Sequence, residues 1–241
     1  MKKKKLGIVG GMGSVAAAYT FSRILELTPA KTDQDYLEIV LHNNSCVPDR
    51  TQGILYGGVN PVPELLRSVN ILNQADVDFI IFACITSHYY IQEIMPYSRA
   101  LIIDAVNETA RYIHEKLGGL NKIGIIASTG TVQSGIFNNA LKMYDMIGIA
   151  LSPNDQMTYF TEPVYSNWGI KAGYLDGKPK ERLTRAVNIL SDMGAQAVIT
   201  GCTEVPLVIK PENFDLPIVD VIDIMAKVSI NKCMDNELYD I

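Results

Sequence analysis

The chain has 241 residues, with 21 Lys plus Arg against 26 Asp plus Glu and a formal net charge of −5. That balance argues against a nucleic-acid partner, because neutralising phosphates needs a basic surface. At 48% hydrophobic and 20% charged residues the composition excludes disorder, and no stretch reaches the roughly 20 uninterrupted apolar residues of a membrane span. The head, Met1–Lys5 followed by Leu6–Gly11, has the outline of a secretion leader. Glycines break its apolar run, so it reads as a buried strand entering a turn.

From there, short β-branched runs alternate with segments of helical period. Strand Leu6–Val9 precedes a helix over 13–28, strand Leu37–Leu41 a helix over 61–75, and strand Phe79–Ala83 a helix over 89–97. Strand Leu101–Ile103 leads to a helix over 105–117, Ile123–Ile126 to one over 132–145, and Ile147–Leu151 to one over 178–194. Strands Ala197–Thr200 and Ile218–Val219 precede a last helix over 220–231. Gly118-Gly119 and Gly194 punctuate two of the helix ends. The alternation predicts an α/β protein of open, mostly parallel sheets flanked by helices.

The halves resemble each other. Lys5-Leu6-Gly7-Ile8-Val9 matches Lys122-Ile123-Gly124-Ile125-Ile126 at a displacement of 117 residues, and Phe79–Cys84 with Thr86 matches Ala197–Cys202 with Thr203 at 118. Two pseudo-symmetric α/β domains are therefore expected, residues 1–103 plus 217–241 and residues 104–216, with the last helix packing back onto the first domain. Ligands of open parallel sheets bind beyond the carboxyl ends of the strands. Cys84 and Cys202 both stand there, so two facing domains would bring one thiol to each wall of a single cleft. A thiolate on one face of a carbon and a thiol on the other invert that carbon by general acid–base catalysis. The four cysteines form no CxxC pair and are expected to be free thiols in a reducing, cytoplasmic setting. Cys46 and Cys233 lack the matched context and read as structural.

Several segments, taken together, carry a family likeness: Gly10-Gly11-Met12-Gly13-Ser14, Asn43-Asn44-Ser45-Cys46-Val47-Pro48-Asp49-Arg50-Thr51, Cys84 with Thr86 and His88, Gly124–Ser128 with Gly130-Thr131, Gly169–Gly173, and Gly201-Cys202-Thr203-Glu204-Val205-Pro206-Leu207. In these the chain resembles the cofactor-independent aspartate/glutamate racemases. The resemblance implies racemisation by Cys84 and Cys202 in a site between the domains, with no cofactor and no metal, and a homodimer. It places Arg50 and Lys171 near a small, dicarboxylic amino-acid substrate, where a guanidinium fork suits a carboxylate. It further places Met12, Gln52, Ile85, Thr86, Ser128, Thr131, Thr203 and Glu204 around that substrate, the hydroxyls toward the α-carboxylate.

Ile85 departs from the pattern, because the family has Asn after its first catalytic cysteine. An aliphatic side chain there either points away or shifts the substrate preference. Three other readings stay in view. Cys84, His88 and Cys202 could form a Cys₂His metal set. A non-enzymatic two-lobed binder of small anions would need Arg50 and Lys171 but neither thiol. Hydantoin racemisation or decarboxylation would suit the same architecture. The glycines of 7–13 lack the Lys-Ser/Thr of a phosphate loop and read as a tight turn beside a small substrate.

Overall fold

The computed structural model describes residues 3–235 and 238–241; residues 1–2 of the basic head and 236–237 of the last segment lie outside the described residues. The first half runs β1 (Leu6–Gly10), α1 (Ser14–Leu27), β2 (Ile39–Asn43), α2 (Arg50–Leu55), α3 (Val62–Gln74), β3 (Phe79–Phe82), α4 (Ile91–Ile94) and β4 (Leu101–Ile102). After α5 (Ala105–Lys116) come β5 (Lys122–Ile126), α6 (Thr129–Ser134), α7 (Ile136–Lys142), β6 (Ile147–Ala150), α8 (Pro153–Gln156) and α9 (Glu162–Tyr165). The chain ends with α10 (Lys178–Asp192), β7 (Ala197–Thr200), β8 (Ile218–Asp220) and α11 (Val221–Met234).

The strands form two four-stranded sheets of identical order, β2-β1-β3-β4 and β6-β5-β7-β8, and every pairing is parallel. Central strands β1, β3 and β7 are buried at every residue, as expected of continuous apolar runs covered on both faces. The equivalence read from the sequence is thus an equivalence of topology: β1 matches β5, and β3 matches β7. One correction concerns the domain boundary. Residues 218–220 pair with β7 in the second sheet, so the chain returns toward the first half after Asp220 and not at 217. A three-residue strand preceding a helix leaves no sequence mark of the sheet to which it belongs.

The terminal helices interlock the halves. Asp104, after β4, caps α5 by accepting from the N–H groups of Val106 and Asn107; Asp220, after β8, caps α11 by accepting from Ile222 and Asp223. α5 then packs on α7 of the second half, and α11 packs on α1 of the first as well as on α5. A continuous hydrophobic cluster joins Ile8, Ile81 and Ile85 to Ile125, Phe137 and Ile199, with Val228 of α11 among them. The halves therefore share a core.

Candidate active site

Cys84 follows β3 by two residues and begins a run of 3₁₀ turns, Ile85–Tyr90. Its carbonyl accepts from Ser87 Oγ at 2.6 Å and from His88 Nδ1 at 3.1 Å. His88 Nε2 accepts the N–H of Ala105 at 3.2 Å, which assigns the proton to Nδ1 and fixes a neutral ring. Burial lowers the His88 pKa, with the nearby Asp104 charge opposing. Both nitrogens thus brace backbone, and the Cys₂His metal set loses its histidine. The Ile85 side chain lies in the shared core at 1% exposure. Of the two readings of Ile85, its aliphatic group therefore points away, packing with the sheets.

Cys202 stands two residues beyond β7, the matching position. A Cβ on Gly201 would fall 2.6 Å from the Phe137 ring, so the chain reaches Cys202 only with glycine there. The Cys202 thiol donates to Glu204 Oε2 at 3.1 Å, and Glu204 Oε1 pairs with the Lys171 ammonium. Burial, then the Glu204 carboxylate, push the Cys202 pKa well up, and Lys171 opposes them. Thr203 Oγ1 lies 3.4 Å from the carbonyl of Ala83 and 3.3 Å from Glu204 Oε2. The residue after one cysteine therefore touches the residue before the other.

The glycine loop after β1 supplies the floor. Arg50 donates from Nη2 to the Met12 carbonyl at 2.8 Å and from Nη1 to Pro48 at 3.0 Å, while its buried Nε has no partner. Burial opposes the Arg50 charge, yet neighbouring Cys84 raises its pKa. Lys171 also reaches the Met12 carbonyl, at 3.4 Å. Against burial, its pKa is raised by Glu204, then by the sulfurs of Cys202 and Cys84. Met12 meets both cations through that carbonyl, while its side chain belongs to the core with Val9 and Val47.

Tyr165, which no motif singled out, feels the same groups. Loss of solvent, then Cys202, Glu204 and Cys84 push its pKa well up, although 43% of its surface stays exposed. Its ring also lies 5.5 Å from the Lys171 ammonium. Both sulfurs thus act on one lysine and one tyrosine. Thr86, Ser128 and Thr131 meet in a buried triangle with oxygen separations of 2.8, 2.9 and 3.0 Å, tying the first half to the second. Gln52 sits apart, in a cavity of about 570 Å³ with Thr51, Tyr56 and Thr129. A cavity of about 270 Å³, lined by Gly13, Ser14, Val15, Ala16, Ile170, Lys171, Glu204 and Leu207, leads to the Lys171–Glu204 pair. Cys202 is one hydrogen bond behind it.

The sequence model of the Asp/Glu/Hydantoin racemase family matches residues 9–228. Among solved structures the chain is similar to the Picrophilus torridus aspartate racemase, at 24% identity with a TM-score of 0.83 over 96% of this chain and 94% of that one. An aspartate racemase homologue from Pyrococcus horikoshii OT3 matches at 20% identity and a TM-score of 0.75, over 96% and 99% of the two chains. The Francisella tularensis glutamate racemase in complex with D-glutamate matches at 15% identity and 0.70, over 100% and 84%.

Proposed function

Because this chain belongs to the Asp/Glu/Hydantoin racemase family, we propose that it racemises a dicarboxylic amino acid, aspartate or glutamate, without a cofactor, using Cys84 and Cys202 as its two proton carriers. The thiolate of one takes the Cα proton, leaving a carbanion; the thiol of the other delivers its own proton to the opposite face. The product leaves with the thiol and thiolate exchanged between the residues, so the reverse direction uses the same pair. Cys202, desolvated and donating to Glu204, holds its proton in the ligand-free site. Arg50 and Lys171 receive the carboxylates.

The observation that carries this reading is the contact between equivalent loops: Thr203, beside Cys202, reaches the carbonyl of Ala83, beside Cys84. A homodimer and a cytoplasmic setting belong to the same proposal; all four cysteines are free, which suits reducing conditions. Among the described residues no helix is long and apolar enough to cross a membrane.

The test is solvent exchange. L-Aspartate or L-glutamate incubated with the protein in deuterated water loses its Cα proton signal by NMR, and chiral separation yields both enantiomers. Cys84→Ser and Cys202→Ser each reduce racemisation by about a hundredfold or more, the contribution of one positioned acid or base. Full turnover in either variant, or no exchange in the wild type, refutes the reading. The second outcome would favour the two-lobed binder.

A further inference from the structure

A site for a dicarboxylic substrate needs cations, yet it holds a buried carboxylate. Glu204 is 4% exposed, lines the cavity of about 270 Å³ and stands 3.1 Å from the Cys202 sulfur. Facing two substrate carboxylates, that charge would weaken binding. A buried carboxylate is also costly unless paired and hydrogen-bonded. In the ligand-free state Lys171 meets that need, and in doing so one of the site's two cations is neutralised.

The only cation on an acidic amino acid is its α-ammonium, and it is attached to the carbon that reacts. A carbon poised for proton transfer lies roughly 3–3.5 Å from its acid or base, and the ammonium nitrogen is one bond further. Glu204 Oε2 stands 3.1 Å from the Cys202 sulfur, the same scale of distance from that sulfur as the reacting carbon. A carboxylate offers about four acceptor sites, of which Lys171, Cys202 and Thr203 engage three.

We propose that Glu204 is the receptor for the substrate's α-ammonium, which displaces Lys171 from it and frees that lysine for a carboxylate. The inference rests on the two-sulfur reading above and narrows its substrate class. Carbon acids without an ammonium, hydantoins among them, cannot make the exchange and leave Lys171 paired. Glu204 then selects amino acids, and Arg50 with the released Lys171 selects those with a second carboxylate.

Calorimetric titration separates these roles. L-Aspartate is compared with succinate, its counterpart lacking the ammonium, and L-glutamate with glutarate. In the wild type at least one amino acid binds tenfold or more tightly than its partner, the scale of one charge-assisted hydrogen bond. In Glu204→Gln, with folding checked by thermal melting, that amino acid weakens tenfold or more while the plain dicarboxylate binds as well as before or better. The proposal is overturned if the wild type binds the dicarboxylate equally well or binds neither ligand, or if Glu204→Gln keeps the preference or weakens both equally. Should the variant not fold, the wild-type comparison decides alone. Wild-type preference for the ammonium without Cα exchange would sink racemisation and leave this receptor standing; exchange without preference would do the reverse.

Discussion

Arg50 directs Nη1 and Nη2 to backbone carbonyls of Pro48 and Met12, which orients the guanidinium and leaves a buried Nε free of any partner among the described residues. An unsatisfied buried donor costs about 1–3 kcal/mol, and a substrate carboxylate would remove that cost. Lysine presents its donors from a single nitrogen on a flexible stem and lacks the fixed fork that aims at two carbonyls and a ligand at once. Arg50→Lys should therefore raise KM for the substrate at least tenfold with a smaller change in kcat, measured by steady-state racemisation. An unchanged KM would place Arg50 in the loop's structure alone. At this scale the sequence was most informative where chemistry demands a residue type. Residue type and context singled out Cys84, Cys202, Arg50 and Lys171, which the structure places at or beside equivalent loops; Tyr165 carried no such mark, because an aromatic on a short helix has no distinguishing spacing. The direction of the Met12 side chain carried no sequence mark, and backbone conformation turns it into core, as it does that of Ile85.

The eight strands were readable because β-branched runs bounded by Gly, Asn and Asp allow little else, whereas helices were readable only where long. The expected helix over 132–145 is two, α6 and α7, broken at Gly135, whose φ of +71° places it in the left-handed region. α6 starts earlier than expected because the Ser128 side chain accepts from the Thr131 N–H as its cap. α2, six residues long and capped by Asp49, shows too few turns for a period. The 3₁₀ run after Cys84 was equally hidden, although it sets that cysteine's carbonyl through His88. Replacing His88 with Phe keeps an aromatic ring, slightly larger, and removes both hydrogen bonds, orphaning the Ala105 N–H. The expected result is a loss of about 1–3 kcal/mol in urea unfolding, with a lowered kcat as Cys84 loses its brace; unaltered stability would refute this tether. The loop after β1 carries a similar constraint. At Gly11, φ is +91° and a Cβ would lie 2.2 Å from the Asn44 backbone, which no side-chain motion relieves.

For the whole molecule, the exchange of terminal helices between halves makes the caps Asp104 and Asp220 part of the domain junction, and Asp220 is the one under electrostatic tension. Burial, with the charge of Asp223, raises its pKa from 3.8 to about 6, against the backbone bonds of its cap and Lys210. A carboxyl whose folded pKa is raised binds its proton more tightly in the native state. Its ionisation therefore destabilises the fold progressively as pH climbs from about 4 to 6 and fully at pH 7. Buried His88 acts in the opposite sense. Its folded pKa is lowered, so below 6.5 the unfolded chain takes a proton that the native state refuses, and stability falls with acid. Between pH 4 and 6.5 the two slopes oppose. Asn caps a helix as well as Asp does and carries no charge, so Asp220→Asn should leave α11 seated while removing one slope. A rise from 3.8 to about 6 corresponds to about 3 kcal/mol at most, and partial solvent access reduces this to about 1–2 kcal/mol. Urea unfolding across pH 4–7.5 should find Asp220→Asn more stable at pH 7 by that amount, with the gain vanishing toward pH 4 and the acid loss from His88 uncovered. A variant less stable than the wild type at every pH would mean that the Asp220 charge is needed to hold the interlocked helices.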